Sequence, residues 1–199
     1  MTERLSEDHM DQLEAWIDSG PKTFNLLYSI TRDGCGPGAF HSKCDNEGPT
    51  VTVLYNPKGS VYGGYTSLDW KSPRDVEWKR DDQAFLFQLV HSYQKLCRKF
   101  PSKMTGKSIY HDPMCGPCFG DNELSLFNKK IDPIHGVFSL DDAGYMEPYE
   151  DYECDEVTPA EINNDTMAVV EVEIYRVAGT YLSWLKFIIT TTNTVMSLC

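Results

Sequence analysis

Apolar residues along this chain recur in short runs separated by turn-forming residues, a pattern typical of β-strands. Thr50 to Tyr55 carries β-branched residues on both faces, and Ser60 to Thr66 resumes the pattern. Asn56-Pro57-Lys58-Gly59 lies between them and has the composition of a turn. The pattern therefore predicts a β-hairpin over residues 50–66.

Other segments show the same pattern. Met167 to Val177 alternates apolar residues with Glu171, Glu173 and Tyr175, which predicts a strand with one buried face. Thr23 to Ile30 is predicted as a buried strand, and the Gly- and Pro-rich stretch Arg32 to Gly38 as a loop. Shorter apolar runs lie at Ala84 to Val90, Ser108 to Tyr110, Leu124 to Phe127 and Gly136 to Leu140. The predicted class is α+β, mostly β, with an antiparallel β-sandwich flanked by short helices.

The first twenty residues predict an amphipathic helix. Ser6 followed by Glu7 and Asp8 is a suitable N-cap, and Gly20-Pro21 ends the pattern. The apolar positions between them have helical spacing: Met10, Leu13, Trp16 and Ile17. Residues 1–20 are therefore interpreted as a separate N-terminal helix.

Charge and cysteine content narrow the function. Thirty acidic against 18 basic residues give a formal net charge of -12, which disfavours nucleic acid and anionic lipid as partners. The opening residues lack the apolar core of a secretory signal, so we expect a cytoplasmic protein. Seven cysteines at irregular spacing favour free thiols over a disulfide framework. The acidic stretch Asp141 to Glu156 is interpreted as a solvated loop without the spacing of a calcium loop.

Cys115-Gly116-Pro117-Cys118 matches the spacing of a thiol-disulfide redox pair. Neither a long strand before it nor a helix after it is predicted, and both belong to the thioredoxin-type context. His111, Cys115 and Cys118 are also weak zinc candidates, because a second short-spaced ligand pair is missing. Partly exposed thiols in a turn are the simpler interpretation, and a thiol-disulfide oxidoreductase remains the alternative function.

Other catalytic motifs are not supported by the sequence. Gly106-Lys107-Ser108 resembles the end of a phosphate-binding loop, but Pro101 occupies the position where that loop needs its first glycine. The five histidines lie beside no nucleophile elbow and no HExxH pair. No cofactor and no catalytic residue are therefore predicted.

Several blocks together resemble a TLDc domain. They are Phe24 to Gly34, which includes Arg32, Asp33 and Gly34; Phe40 to Asp45, which includes His41 and Cys44; Gly48 to Val53; Gly63-Gly64-Tyr65-Thr66-Ser67; and Ala84 to Leu89, which includes Phe85, Leu86 and Phe87. The resemblance covers about Pro21 to Val177. Within it, the chain resembles in particular the N-terminal TLDc-like domain of the interferon-induced protein 44 family. It defines a TLDc-like domain at residues 21–177.

The resemblance implies a β-sandwich flanked by helices and a non-catalytic protein-interaction domain. It implies the peripheral sector of the vacuolar proton ATPase (V-ATPase) as a partner, with links to oxidative-stress resistance and innate antiviral defence. CGPC departs from the family pattern, and the GTPase-like domain that follows in the interferon-induced branch has no counterpart here. Phe85 and Phe87 are expected on a central strand with at least one ring in the core, beside Gly63-Gly64.

Residues 178–199 depart from the family pattern. The segment Tyr181 to Ile189 is apolar and aromatic, but Lys186 and the Thr-rich end weaken it as a membrane span, so membrane insertion is not expected. The segment is interpreted as a non-family C-terminal tail, and a chain ending at Val177 is expected to keep its core stability.

Overall fold

The structure is a computed structural model that describes residues 4–121, 123–141, 144–146, 150–154 and 156–179. The tail hypothesis for residues 178–199 falls almost entirely outside the described residues. Within them, antiparallel strands in two main sheets are the predominant regular structure, with a few short helices. This confirms the predicted α+β, mostly β, class.

The larger sheet has six antiparallel strands. They are β1 (Lys22–Ser29), β2 (Thr50–Tyr55), β3 (Val61–Thr66), β5 (Phe85–His91), β6 (Gln94–Pro101) and β13 (Glu171–Gly179). Their spatial order is β1-β13-β2-β3-β5-β6, so the last strand of the domain lies between the first two. Thr23, near the start of β1, is paired with Ala178 near the end of β13.

The smaller sheet has five short strands in the order β11-β9-β8-β7-β4. They are β4 (Glu77–Lys79), β7 (Ile109–His111), β8 (Cys118–Phe119), β9 (Leu124–Ser125) and β11 (Tyr145–Met146). A separate pair joins β10 (Phe138–Ser139) to β12 (Ala168–Val169). The helices are α1 (Glu7–Ile17), α2 (Ile30–Asp33), α3 (Pro37–Cys44) and α4 (Pro159–Asn163).

One hydrophobic core lies between the two sheets, as in a sandwich. Leu54, Leu86 and Ile174 of the larger sheet and Ile109 and Phe119 of the smaller one are all buried in it. The sheets come close where Gly64 faces the ring of Phe119, since a Cβ at Gly64 would lie 2.7 Å from that ring. The absence of a side chain there allows this approach.

A second core lies on the opposite face of the larger sheet, under α1. Leu13 of α1 is fully buried there, and Trp16 contacts the rings of Phe85 and Phe87 with centroids 6.2 and 6.3 Å apart. Both phenylalanines are buried on β5, which confirms their expected place on a central strand. The N-terminal helix is thus packed onto the sheet and covers its second face.

This second core overturns the prediction of one buried face for the last strand. Glu171, Glu173 and Tyr175 of β13 are buried as well as Val172 and Ile174. Glu173 accepts hydrogen bonds from the hydroxyls of Tyr55 at 3.0 Å and Tyr175 at 2.7 Å. A buried carboxylate needs such donors, and these partners let it lie under the N-terminal segment.

The segment from Thr23 to Gly38 also differs from its prediction. β1 is an edge strand with Thr23 and Asn25 exposed, so it is only partly buried. Ile30, expected as the last residue of the strand, begins the short helix α2. Pro37, within the stretch expected to be a loop, begins α3. Proline is well suited to the first helical turn, because its missing N–H would have no intrahelical partner there. Gly34, Cys35 and Gly36 therefore separate two short helices, and Pro37 begins the second one.

The hairpin prediction is confirmed, with β2 and β3 joined by the turn at Asn56 to Gly59. The side chain of Asn56 accepts hydrogen bonds from the amides of Lys58 and Ser60, at 3.0 and 2.8 Å, and Gly59 has φ +79°. These features match the chemistry that such a turn requires.

The acidic stretch Asp141 to Glu156 is not wholly solvated. Asp151 and Tyr152 are buried, and Tyr152 forms a β-bridge with Ser102. Asp151 accepts hydrogen bonds from the Thr105 hydroxyl and, at 3.0 Å, from the Asp121 amide. Buried acceptors with partners of this kind attach this part of the loop to the segment that follows β6 and to the turn that follows β8.

Candidate functional site

A concave surface lies between α1 and the edge strand β1. Ser6 caps α1 by accepting a hydrogen bond from the His9 amide at 3.3 Å, and the helix ends at Asp18 in the left-handed conformation. Acidic residues in the first turn favour this helix, because they face the positive end of its dipole. The caps therefore define the ends of the helix, and the buried Leu13 anchors it on the larger sheet.

The groove has a volume of about 530 Å³ and mixes carboxylates with apolar side chains. The Lys22 amide donates a 2.6 Å hydrogen bond to Glu14, which joins the start of β1 to the helix. Helix α1 contains four acidic residues and no lysine or arginine. We call this the α1/β1 groove, lined by Glu7, Met10, Asp11, Glu14, Lys22, Thr23, Phe24 and Asn25.

Glu7, Asp11 and Glu14 lie on one face of α1 because their spacing of four and three residues matches the helical repeat. Sequence reasoning did not single them out, although this spacing was the signal that could have found them. Met10 and Phe24 supply apolar contact surface in the same groove. The arrangement suits a segment that carries both basic and apolar side chains.

The family-motif residue His41 connects two distant parts of the chain. Its Nδ1 lies 2.7 Å from Asp45, and its Nε2 lies 3.1 Å from the Asp112 carbonyl and 3.0 Å from the Cys115 carbonyl. The hydroxyl of Ser72 donates to the other oxygen of Asp45 at 2.6 Å. His41 and Asp45 thus hold the loop that contains the CGPC motif against α3.

Arg32, Asp33 and Gly34 form a second local arrangement at the end of β1. The Arg32 guanidinium donates to Asp33 at 2.6 Å and to the Leu27 carbonyl at 2.6 Å. Burial alone would raise the pKa of Asp33, but hydrogen bonds from Arg32 and the Ser29 amide outweigh burial and lower it. Gly34 has φ +93°, a conformation that glycine adopts without strain.

The other family-motif residues lie in the two cores. Phe40 and Cys44 of α3 face the core between the sheets, and Tyr65 packs on Phe85 with centroids 5.1 Å apart. A Cβ at Gly63 would lie 1.9 Å from the Thr52 carbonyl oxygen. These positions support packing and do not converge on one site: Phe40, Cys44, Gly63, Gly64, Tyr65, Phe85, Leu86 and Phe87.

The two cysteines of CGPC lie in different environments. Cys115 is partly buried in the loop, whereas Cys118 is buried in β8 with 3% of its surface exposed. A hydrogen bond from Cys118 lowers the pKa of the Cys115 thiol, and the same contact together with burial raises that of Cys118. The interpretation of both thiols as partly exposed is therefore wrong for Cys118. A strand follows the pair where a thioredoxin-type site has a helix.

The zinc candidate does not assemble in the described part of the chain. His111 is buried on β7 and packs against the ring of Trp70, with centroids 6.1 Å apart. No group of three or more histidine, cysteine or acidic residues able to hold a metal ion occurs among the described residues. His111 has the surroundings of a core residue.

Three further findings concern membranes and the comparison with known proteins. Across the described ranges, no helix has the length and apolar character needed to cross a membrane. No curated protein matches the chain. The family profile of the TLDc domain matches residues 2–178, which includes the N-terminal helix as well as the sandwich. The chain therefore belongs to the TLDc domain family.

Proposed function

We propose that this TLDc domain is a non-catalytic protein-interaction module that binds a basic, partly apolar protein segment in the α1/β1 groove. The observation that carries the proposal is the groove itself, where Glu7, Asp11 and Glu14 border Met10 and Phe24. A chain with a net charge of -12 attracts basic partners at long range, and the groove offers them a defined place to dock.

The edge position of β1 adds a second means of binding. Among the described residues β1 pairs only with β13, so its other side has no neighbouring strand. Edge strands present backbone N–H and C=O groups that an extended peptide can pair with. A bound segment would therefore combine main-chain hydrogen bonds with charge pairing to α1.

A binding titration with the full chain tests the groove. The probe is an immobilised lysine-rich peptide with interspersed leucines, and the readout is biolayer interferometry at two salt concentrations. Asp11→Lys, an exposed position in the groove, is expected to weaken binding about fivefold. Glu153→Lys makes the same charge change at an exposed position outside the groove and is expected to change binding less than twofold. Equal losses in both variants would show that only net charge matters and would refute the groove.

For the natural partner, we propose the peripheral sector of the V-ATPase. Membership in the TLDc family and the resemblance of the motif blocks support this assignment. The test is co-sedimentation of the full chain with the purified peripheral sector. If the chain binds the sector and Asp11→Lys weakens this binding, both the groove and the partner are supported. If the chain binds the peptide but not the sector, only the proposed partner is refuted.

We also propose that the chain belongs to the interferon-induced protein 44 branch and acts in the cytoplasm, in innate antiviral defence or oxidative-stress resistance. The order of the blocks from Phe24 to Gly34, Phe40 to Asp45 and Ala84 to Leu89 supports the branch. Immunoblotting of fractionated cells before and after interferon treatment tests both statements. An unchanged amount of protein, or its recovery outside the cytosol, would contradict them.

The alternative function, a thiol-disulfide oxidoreductase at Cys115 and Cys118, is favoured by the lowered pKa of Cys115. The strand after the motif argues against it, because no helix dipole stabilises a thiolate there. An insulin-reduction assay separates the two functions. Sustained turnover that Cys115→Ser abolishes would refute the non-catalytic proposal.

A further inference from the structure

The CGPC loop brings two chemically unequal thiols together in a rigid turn. The Cys115 amide donates to the Asp112 carbonyl at 3.1 Å, and the Gly116 amide lies 3.1 and 3.0 Å from the carbonyls of Leu126 and Phe127. A Cβ at Gly116 would lie 2.5 Å from the ring of Phe127, so the loop packs tightly on its neighbour. The turn therefore holds Cys115 and Cys118 at a fixed spacing.

His41 fixes the same loop from the other side. Its Nε2 contacts the carbonyls of Asp112 and Cys115, and its Nδ1 is held by Asp45. These contacts involve the backbone of Cys115, whose side chain is only partly buried. The Cys115 Sγ lies 3.6 Å from Asp112.

Cys118 is placed behind Cys115, inside the sandwich. Its sulfur lies 3.3 Å from the Gly116 carbonyl and 3.2 Å from the Ser125 hydroxyl on β9. A partly exposed thiol next to a buried one is the arrangement in which the first reacts with an oxidant and the second resolves the product. Burial also protects Cys118 from direct attack by solvent oxidants.

Two other buried cysteines have the opposite character. Burial raises the pKa of Cys35 to about 12, and burial also raises that of Cys44. Because the thiolate is the reactive form, a pKa near 12 leaves Cys35 about a thousandfold less ionised near neutral pH than an ordinary thiol. Cys115 is therefore favoured over both of them for oxidation.

We propose that Cys115 and Cys118 form a peroxide-reactive thiol pair, in which Cys115 is oxidised first and Cys118 then closes a disulfide with it. This inference is independent of the α1/β1 groove, since none of the groove residues belongs to the CGPC loop. It concerns one oxidation per chain and needs no catalytic cycle.

The chemistry balances with hydrogen peroxide as the oxidant. The Cys115 thiolate attacks one peroxide oxygen, so an S–O bond forms, the O–O bond breaks and hydroxide leaves. The Cys118 sulfur then attacks the sulfenic sulfur of Cys115, so the S–S bond forms and the S–O bond breaks. The oxygen leaves as water with the proton of the Cys118 thiol. The two sulfurs are oxidised together by two electrons, and the peroxide is reduced to water.

The disulfide would change contacts beyond the loop. Cys118 would withdraw its sulfur from Ser125, the residue paired with it across β8 and β9. The Cys115 carbonyl lies against His41, so movement of Cys115 also acts on the His41–Asp45 pair. Oxidation at the loop would thereby reach α3 through contacts already present.

Peptide mapping of the full chain tests the pair. The reduced protein is treated with hydrogen peroxide and the remaining thiols are alkylated. Mass spectrometry then shows whether the peptide that contains both Cys115 and Cys118 is unalkylated and lighter by two hydrogens than its dithiol form. We expect a Cys115–Cys118 disulfide that dithiothreitol reverses. Cys115→Ser should lose it, and Cys118→Ser should leave Cys115 as a sulfenic acid that dimedone labels. Cys97→Ser, another partly buried cysteine, is the control and should keep the disulfide.

Three outcomes would overturn the proposal. In the first, Cys115 and Cys118 stay reduced while Cys35 or Cys44 is oxidised. In the second, the unmodified chain keeps Cys115 as a sulfenic acid. In the third, Cys118 forms a disulfide with another cysteine equally well in Cys115→Ser. Mapping of the unmodified chain decides the matter by itself if Cys118→Ser fails to fold.

Discussion

Replacing Gly63 with alanine tests the close approach of β2 and β3. We expect Gly63→Ala to destabilise the domain and the same substitution at Gly38 to stabilise it. A Cβ at Gly63 would lie 1.9 Å from the Thr52 carbonyl oxygen, whereas carbon and oxygen atoms in contact lie roughly 3.3 Å apart. In Gly63→Ala, β2 and β3 must therefore separate by roughly 1.4 Å. That shift takes N···O distances in the ladder beyond the hydrogen-bonding range.

The cost follows from the number of groups affected. β2 and β3 lie in the middle of the larger sheet, so backbone groups that lose their partners there are not solvated. Each buried unsatisfied group costs about 1–3 kcal/mol. Two such groups give a destabilisation of about 2–6 kcal/mol for Gly63→Ala, a large part of a typical domain stability of about 5–15 kcal/mol.

Gly38→Ala is the matched control. Gly38 lies in α3, it has no positive φ, and a Cβ there meets no atom within 4 Å. Alanine at such a helical position is expected to stabilise by about 0.5–1 kcal/mol. Urea unfolding followed by circular dichroism measures both variants. A neutral Gly63→Ala, or a Gly38→Ala that destabilises as much, would refute the reasoning.

Three further substitutions test other parts of the structure. Phe87→Ala should cost about 3–5 kcal/mol in urea melts, whereas the exposed Val76→Ala should stay within about 0.5 kcal/mol; equal effects would contradict the placement of β5. Leu13→Ala should cost about 2–5 kcal/mol if α1 is part of the fold, and an unchanged melt would show that α1 is dispensable. Asp33→Asn should destabilise by roughly 1 kcal/mol at pH 7, because its pKa is lowered from 3.8 by Arg32 and Ser29 despite burial. That contribution is present above the unfolded pKa and is lost as pH falls through the lowered folded pKa, so the difference should shrink as melts are moved to pH values below 3.8.

Local signals predicted the elements whose structure is decided locally. The hairpin at residues 50–66 was correct because alternation and turn chemistry act over a few residues, as the contacts of Asn56 show. The absence of a helix after Cys118 was likewise readable from the chain. The edge position of β1 could not be predicted from local signals. The helices α2 and α3 could not be predicted either, because glycine and proline occur at helix ends as well as in loops.

The remaining differences depend on contacts between distant residues. Alternation at Glu171 and Glu173 predicts a solvated face, but both are buried. Glu173 accepts a hydrogen bond from the Arg4 amide of the N-terminal segment, and Glu171 accepts hydrogen bonds from the hydroxyls of Ser29 and Thr31. The role of His41 at the CGPC loop joins residues 74 positions apart, which no local pattern reports. For the candidate groove, the acidic face of α1 was readable, but its position beside β1 was not.

The place of β13 between β1 and β2 has a consequence for the newly made chain. The hydrogen bond from Thr23 to Ala178 joins residues 155 positions apart, so this part of the sheet cannot form until the end of the domain has been synthesised. Long-range strand pairing slows folding, and strands that wait for a partner are prone to join other chains. During translation the inner edges of β1 and β2 remain open, and a ribosome that stops before Glu171 would release a chain with both edges unpaired. The domain therefore depends on protection of its early strands until its last strand emerges.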